Sequence, residues 1–135
     1  MKKRFLLLVV ALFALICFAA CGGSKAKGDG EITLVVVDEA GKELFNDELA
    51  YFTGDTLVDV FTKDEKVKMT GETSEYGFFI ESVCGKKATD AGETYFWNLK
   101  VNGEVSLVGI SSVVIEDGMK IELILTDWTK TEWCD

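Results

Sequence analysis

The sequence predicts an α+β domain with about five or six strands and one short helix. Segments of strand composition recur along the chain, from ITLVVVD at 32–38 to MKIELIL at 119–125, and turn residues separate them. Helical spacing of apolar residues is clear near 57–61. A chain of 135 residues with 48% hydrophobic content suffices for one globular domain rather than two. These observations place the strands and the helix in a single α+β unit.

The first 20 residues have the anatomy of a secretory signal peptide. Three basic residues at 2–4 precede an apolar run at 5–20, which is too short to cross a bilayer comfortably. Small residues stand directly before Cys21, and Gly22, Gly23 and Ser24 follow it. This pattern resembles a bacterial lipoprotein signal, in which the cysteine is lipidated and becomes the mature N-terminus. An ordinary signal peptide, or an uncleaved anchor with an incidental cysteine, is the alternative.

This N-terminal pattern sets the predicted organisation of the chain. We expect a signal peptide at 1–20, a lipidated Cys21 with a flexible tether at 21–30, a folded domain at 31–128 and a short tail at 129–135. Lipidation places the domain on the extracytoplasmic face of the cell membrane. The membrane is therefore the first predicted partner.

Composition excludes several classes of function. The chain contains no histidine, which removes His-based metal sites and both Ser-His-Asp and Cys-His catalysis. The acidic pairs at 38–39, 64–65 and 116–117 do not have the ligand spacing of a calcium loop. Acidic residues outnumber basic residues by 23 to 14, so a nucleic-acid backbone is repelled. We predict no catalytic residues, no metal site and no nucleic-acid partner.

The elements follow in order along the domain. The β-branched run at 32–38 predicts a buried strand, and ELFNDELAYF at 43–52 predicts a second extended segment. Thr56 and Asp59 have the spacing of an N-terminal cap, and Leu57, Val60 and Phe61 share one helical face. Further strands are predicted at 76–83, 95–101 and 119–125, with turns at 85–87, 102–103 and 117–118 between them.

The strand at 95–101 has two different faces. Alternation directs Tyr95, Trp97, Leu99 and Val101 to one side and Phe96, Asn98 and Lys100 to the other. The wholly apolar side predicts a core face, so Trp97 is assigned to the core. Phe96, paired with Phe79 from the preceding strand, is a candidate for exposed recognition. A second, smaller apolar cluster is the alternative for this pair.

Two cysteines remain beyond the N-terminal signal and its lipidation site. Cys84 and Cys134 could form a disulfide in an exported protein, but a single pair without a surrounding framework gives a weak pattern. The alternative is a small core residue at Cys84 and a free thiol at Cys134. Both interpretations stay open.

Four segments together resemble a known family. TGDTLVDVF at 53–61, SEYGFFIESVCG at 74–85, YFWNLKVNGE at 95–104 followed by VGI at 108–110, and IEDGMKIELIL at 115–125 are similar in order and spacing to a bacterial domain of unknown function. That domain resembles the C-terminal domain of transcobalamin and intrinsic factor, and the resemblance covers roughly 32–128. It implies a β-grasp-like mixed sheet. In the vitamin carriers this domain covers one face of a corrinoid, and a helical barrel with no counterpart in these segments holds the other face.

Two functions stay open. The first is a lipid-anchored protein that captures a small molecule, for which the resemblance implies a corrinoid, and hands it to an uptake system. For that function we predict aromatic contacts from Phe79 and Phe96 and polar contacts from Tyr76 and Asn98. The second is a cell-surface module that binds another protein and takes no small ligand. Neither function requires a resident cofactor.

Overall fold

The computed structural model describes residues 28–130, which form eight strands in two sheets together with short helices. The predictions on residues 1–27 and 131–135, including lipidation of Cys21 and a disulfide to Cys134, lie outside the described residues. The elements in chain order are β1 (Gly30–Val37), β2 (Glu43–Tyr51), α1 (Leu57–Lys63), β3 (Thr70–Ser74), β4 (Gly77–Val83), β5 (Lys86–Lys87), α2 (Ala88–Ala91), β6 (Tyr95–Val101), β7 (Glu104–Val105), a 3₁₀ helix (Ile110–Ser112) and β8 (Lys120–Asp127). None of the helices in 28–130 has the length and apolar character needed to span a membrane.

The larger sheet is mixed and has the strand order β2-β1-β8-β6-β7. β1 and β8 are parallel, with Val36 opposite Leu123, and the other neighbours are antiparallel. β6 pairs with β8 along its whole length, but on its other side β7 pairs only with Lys100 and Val101. Within the described sheets, the first half of β6 therefore has an edge with no partner strand.

The smaller sheet has the order β3-β4-β5 and packs with α1 against one face of the larger sheet. Buried residues alternate along β6 and β8, as a sheet with one covered face requires, while β1 is buried continuously over its residues 34–36. They include Ile32, Leu34 and Val36 of β1, Leu57, Val60 and Phe61 of α1, Ile80 and Val83 of β4, Trp97 and Leu99 of β6, and Ile121, Leu123 and Leu125 of β8. The predicted core positions Trp97 and Leu99 are confirmed.

Turn residues act as predicted between β6 and β7. Asn102 and Gly103 form a two-residue connection, and both have positive φ values, 51° and 87°. A tight hairpin that matches the strand twist requires such values, which asparagine and glycine adopt at little cost. The Asn102 side chain also accepts a hydrogen bond from the Lys120 backbone N–H at 2.9 Å, which ties the turn to β8.

Two features of the fold differ from the sequence prediction. The structure has a second helix, α2, so the expected single helix was wrong in number. It also has eight strands rather than the expected five or six, and they divide between two sheets. α2 has four residues, too few for apolar periodicity to identify. β3 is TGETS, which has no apolar residue and contains a glycine, so no alternation of apolar and polar residues marks it as a strand. The expected α+β class with a mixed sheet agrees with the structure.

The N-terminus of α1 carries the predicted cap. The Thr56 hydroxyl accepts a hydrogen bond from the Asp59 backbone N–H at 3.2 Å, and the Asp59 carboxylate accepts one from the Thr56 backbone N–H at 3.0 Å. These hydrogen bonds satisfy backbone donors that have no partner inside the helix. The backbone N–H and then the hydroxyl of Thr56 lower the pKa of Asp59, because both donate to its charged form.

We expect Thr56→Ala to lower the free energy of unfolding by about 1 kcal/mol, the usual cost of losing an N-terminal cap. Denaturant unfolding at neutral pH measures this difference in the free energy of unfolding. Because the pKa of Asp59 is lowered on folding, its contribution is present above the ordinary aspartate pKa and is lost as the pH falls through the lowered value. Thr62→Ala, at an exposed position of the same helix, is the control and should cost nothing. An equal loss in both variants would contradict the role of the cap.

Candidate functional site

A cavity of about 170 Å³ lies beside the unpaired part of the β6 edge, between β4, β6 and the chain that follows β7. We call it the aromatic cavity. Its walls are formed by Phe78, Phe79, Ile80, Phe96, Trp97, Leu99, Val108, Gly109 and Ile110. All of these residues are apolar or glycine, so within the described chain the walls contribute no ionisable side chain. The cavity therefore suits a neutral, apolar group.

The structure places Phe79 and Phe96 in the walls of this one cavity. Phe79 is 65% exposed, because alternation along β4 buries Ile80 and leaves Phe79 on the outer side. Phe96 is half-buried at the start of β6. The two strands belong to different sheets, so their approach depends on how the sheets pack. The pair has the proximity that the recognition hypothesis requires, and its role in binding stays a prediction.

Tyr76 and Asn98 are not among the residues that line the aromatic cavity, although each is close in sequence to residues that do. Tyr76 is in the turn between β3 and β4 and is 90% exposed. The adjacent Phe78 backbone N–H donates to the Ser111 hydroxyl at 3.2 Å, so this turn is tied to the 3₁₀ helix that follows the cavity wall. Asn98 is half-buried on β6, opposite Ile124 of β8. Their predicted polar contacts to a ligand remain predictions.

Trp97 belongs both to the core and to the cavity wall. The residue is 6% exposed, and its neighbour across the sheet is the buried Leu125. Its indole Nε1 is buried and has no hydrogen-bond partner among the described residues. A buried donor without a partner typically costs about 1–3 kcal/mol. Sequence alternation identified the burial of Trp97 but gave no signal for the unpaired nitrogen.

Exposed apolar side chains occur in the cavity wall and in the chain segment that leads into it. We define Phe79, Val105, Leu107 and Val108 as the apolar rim; Leu107 is fully exposed, and Val108 also lines the cavity. Ser106 fixes the connection that carries them: its backbone N–H donates to the Leu99 carbonyl at 2.9 Å, and its hydroxyl donates to the Val108 carbonyl at 2.7 Å. Apolar side chains held in water next to a cavity are typical of a surface that binds something.

Gly71 allows β3 to approach the strand that carries Phe79. A Cβ atom at position 71 would collide with the Phe79 carbonyl oxygen and lie 2.7 Å from Cζ of Phe78. The strand register shifts at this point, between Thr70 and Gly71. A glycine is therefore required for the close backbone approach that positions one wall of the cavity.

Residues 54–127 match a known sequence family described as "Domain of unknown function (DUF4430)". The chain belongs to the DUF4430 family. No curated protein matches the sequence.

Solved structures with the same fold include two informative neighbours of this DUF4430 chain. A 1.30 Å crystal structure of a candidate metal binding protein from Ruminococcus gnavus ATCC 29149 has a TM-score of 0.62 and 25% identity, over 73% of this chain and 98% of that one. Haptocorrin in complex with Cbi has a TM-score of 0.57 and 18% identity, over 79% of this chain and 27% of the haptocorrin chain. The predicted resemblance to a domain of unknown function with a transcobalamin-type fold is thus confirmed.

The metal-binding description of the bacterial neighbour has no visible counterpart in the described part of this DUF4430 chain. Residues 28–130 contain no cluster of three or more histidine, cysteine, aspartate or glutamate side chains that could hold an ion. Cys84 is half-buried, and burial raises the pKa of its thiol to about 11, with a smaller contribution in the same direction from the charge of Asp64. The thiol is therefore protonated at neutral pH and is a poor metal ligand.

A larger cavity, of about 570 Å³, lies between β2 and α1 of the DUF4430 chain. Its walls combine apolar residues with several carboxylates and two lysines. The best placed carboxylates already serve the local structure. Asp55 accepts the Phe52 backbone N–H at 3.0 Å, and Asp64 accepts the Lys66 and Val67 backbone N–H groups at 2.9 and 3.0 Å. We therefore place the candidate ligand site in the smaller aromatic cavity.

Proposed function

We propose that this protein is a lipid-anchored, extracytoplasmic lipoprotein whose DUF4430 domain binds a small ligand at the aromatic cavity. The observation that carries the proposal is the convergence of Phe79, Phe96 and Trp97 on one cavity beside the exposed apolar rim. An apolar cavity with several aromatic walls is the usual form of a small-molecule site.

The size of the cavity limits how the ligand sits. A volume of about 170 Å³ is below the roughly 300–1,000 Å³ of sites that enclose a drug-sized molecule. The cavity therefore receives one part of the ligand, and the remainder lies against the apolar rim. A flat ligand with an apolar face would rest on Phe79 and Val108, which line the cavity and have exposed side chains.

We infer that a corrinoid is the ligand class to test first. The support is the shared fold with haptocorrin, which was crystallised with Cbi, together with the open and partial character of the aromatic cavity. This chain spans 27% of the haptocorrin chain, so it corresponds to one part of that protein. We infer that it covers one side of the ligand, in keeping with the small volume of the aromatic cavity. We also propose that the mixed sheet is β-grasp-like. After binding, the molecule passes to a membrane uptake system.

The proposal assigns binding rather than catalysis. The walls of the aromatic cavity supply no general acid, general base or nucleophile from the described chain. The membrane anchor at Cys21 and the tether at 21–30 would keep the domain close to a transporter. The acidic chain, with a net charge of −9, is repelled by anionic headgroups and stays clear of the bilayer surface.

The second candidate function is a cell-surface module that binds another protein without a small ligand. Leu107 favours it, because this leucine is fully exposed next to the unpaired edge of β6. A strand from a partner could pair with that edge while the apolar rim contacts its side chains. The binding test below separates the two functions.

We expect the chain from residue 22 to 135 to bind corrinoids with a micromolar dissociation constant, about −8 kcal/mol, because a partly open site leaves much of the ligand in water. The dissociation constant is measured by calorimetry and by absorbance, with corrinoids that carry the lower nucleotide and corrinoids that lack it. Phe79→Ala and Phe96→Ala should each weaken binding about tenfold through loss of aromatic contact. Phe52→Ala removes an exposed aromatic from the other cavity and is the matched control.

The outcome against this proposal is equally definite. If neither heat nor a spectral change appears at corrinoid concentrations far above the micromolar range, corrinoid binding is wrong. If, in addition, the Phe79 and Phe96 variants lose binding to a surface protein, the interaction module becomes the better account.

A further inference from the structure

The far edge of the larger sheet, formed by β2, is open in the described part of the chain. β2 is the terminal strand of the order β2-β1-β8-β6-β7, and its nine residues pair only with β1 in the described sheets. A terminal strand exposes a row of backbone N–H and C=O groups with which another strand can pair. We call this outer side of the strand the β2 edge.

Hydrogen bonds inside the sheet show which backbone groups of β2 point outward. The Thr33 backbone N–H donates to the Met119 carbonyl at 3.0 Å, so the odd-numbered residues of β1 point toward β8 and the even-numbered ones toward β2. Even-numbered residues of β1 lie opposite odd-numbered residues of β2, as Leu34 lies opposite Asp47. The even-numbered residues of β2 therefore direct their N–H and C=O groups away from the sheet.

Asn46 and Ala50 carry open backbone groups at the β2 edge. Their outward N–H and C=O groups have no hydrogen-bond partner among residues 28–130. Between them, the Glu48 backbone N–H donates to the Asp47 carboxylate at 2.8 Å, a local contact that an incoming carbonyl can replace. Asp47 is exposed, so its side chain can turn away and pair with a cation instead. The edge thus offers a ladder of backbone groups with a carboxylate beside it.

The larger cavity, of about 570 Å³, runs along this edge. Its walls include Asp47 and Leu49 from the covered face of β2 and Glu48 and Ala50 from the other face, together with side chains of α1. Neighbouring strands lie about 4.8 Å apart, and every second side chain of a strand points to the same face. A strand added to β2 would therefore place alternate side chains in the larger cavity.

The charge of the walls determines which partner strand is favoured. The larger cavity is lined by five carboxylates and two lysines, and the hydrogen bonds that Asp55 and Asp64 accept from the backbone leave their charge in place. β2 itself contains Glu43, Asp47 and Glu48 and no basic residue. Two copies of this chain paired along the β2 edge would bring like charges together, which is destabilising. A strand with basic side chains is attracted to the same place.

We propose that the β2 edge binds an extended segment of a basic partner protein, which joins the larger sheet as a sixth strand and directs lysine or arginine side chains into the larger cavity. Backbone pairing provides the affinity of such complexes, and side chains at alternate positions provide the specificity. The inference does not depend on the ligand of the aromatic cavity, whose walls include β6 and not β2. It also differs from strand pairing at the edge of β6.

Two synthetic heptapeptides test the preference for a basic strand, with the chain from 22 to 135, which contains every described element. In the first peptide threonine alternates with lysine, valine and lysine, and in the second glutamate replaces both lysines. The lysine peptide should shift the ¹⁵N-labelled backbone amide resonances of Asn46 and Ala50 in a saturable way, and the glutamate peptide should bind about tenfold more weakly or worse. Equal binding of both peptides, or of neither, would overturn the proposal.

Methylation of peptide nitrogens separates backbone pairing from charge attraction alone. Two versions of the lysine peptide carry methyl groups on alternate residues, one version along each edge of the extended peptide. Only one edge of a bound peptide faces β2, so one version should lose binding and the other should keep its affinity within about twofold. Equal affinities of the two versions would mean that no strand is added, and the proposal would be wrong.

Variants of the chain test whether the peptide lies at the β2 edge. Asn46→Pro removes an outward N–H without breaking the pairing to β1, so affinity for the lysine peptide should fall about tenfold. Asn46→Ala keeps the N–H and is the matched control. Glu65→Gln removes a charge from the larger cavity and should weaken binding about threefold, whereas Glu72→Gln, on β3, should have no effect. Unchanged affinity in a folded Asn46→Pro chain would contradict the site.

Sedimentation of the unaltered chain tests the alternative occupant. We expect a monomer, because the acidic β2 edge repels a second copy. If the chain dimerises and Asn46→Pro makes it monomeric, the edge binds a second copy and the basic partner is wrong. If the Asn46→Pro chain does not fold, the two methylated peptides decide the question with the unaltered chain.

Discussion

Trp97→Ala is expected to lower the free energy of unfolding by about 3–5 kcal/mol, the usual cost of truncating a large buried aromatic residue. Trp97 is 6% exposed, it lies opposite Leu125 of β8, and the adjacent core position on β6 is Leu99. Removal of the indole leaves a void that these neighbours can fill only in part. The relief of the unpaired Nε1 offsets a fraction of the loss.

The size of this effect matters because ordinary domains are stable by only about 5–15 kcal/mol. Trp97→Ala should therefore reduce the yield of folded protein and shift its denaturation midpoint strongly in urea. Trp128→Ala removes a 52% exposed tryptophan and should cost less than about 1 kcal/mol, which makes it the matched control. An unchanged midpoint for Trp97→Ala would place the indole outside the core and contradict the packing described above.

Cys21→Ser is expected to abolish lipid anchoring. The basic start, the apolar run and the small residues before Cys21 predict acylation at its sulfur, which a serine hydroxyl cannot replace. Each buried methylene of an acyl chain contributes about 0.8 kcal/mol, so a multiply acylated cysteine binds a membrane durably. Without it, the protein should be released from the membrane or keep an uncleaved signal.

Cell fractionation combined with mass spectrometry of the intact protein distinguishes these results. Cys17→Ser, four positions earlier in the apolar run, is the matched control, and its product should keep the lipid mass and the membrane location. If the Cys21→Ser protein has the same mass and fractionation as the unaltered protein, the anchoring prediction fails. An ordinary signal peptide, or an uncleaved anchor with an incidental cysteine, would then be the better account of residues 1–20.

Structural features that depend on residues close together in the sequence could be predicted from the sequence. The cap formed by Thr56 and Asp59 follows from a spacing of three residues, and the burial of Trp97 follows from alternation within one strand. The Asn102-Gly103 hairpin likewise depends on two adjacent residues that adopt positive φ values. In each case the physical cause acts within a few residues, so the local pattern carries the information.

The candidate site was predictable only in part. The sequence singled out Phe79 and Phe96 as aromatic residues on the second faces of two strands, and the structure brings both to one cavity. It did not predict that Trp97, assigned to the opposite face from Phe96, lines the same cavity. That depends on how β4 and the chain after β7 pack against the edge of β6, which has no strand partner along its first half in the described sheets.

By itself, then, the sequence determined the α+β class, the helix cap, the main core strand and the aromatic residues at the candidate site. Tertiary structure decided the parallel pairing of β1 with β8, the division into two sheets and the walls of the aromatic cavity. It also left the buried Trp97 nitrogen without a hydrogen-bond partner among residues 28–130. Each of these depends on residues far apart in the chain, such as Val36 and Leu123. Alternation and spacing along the sequence indicate which side of a strand is buried. They do not indicate which other strand pairs with it.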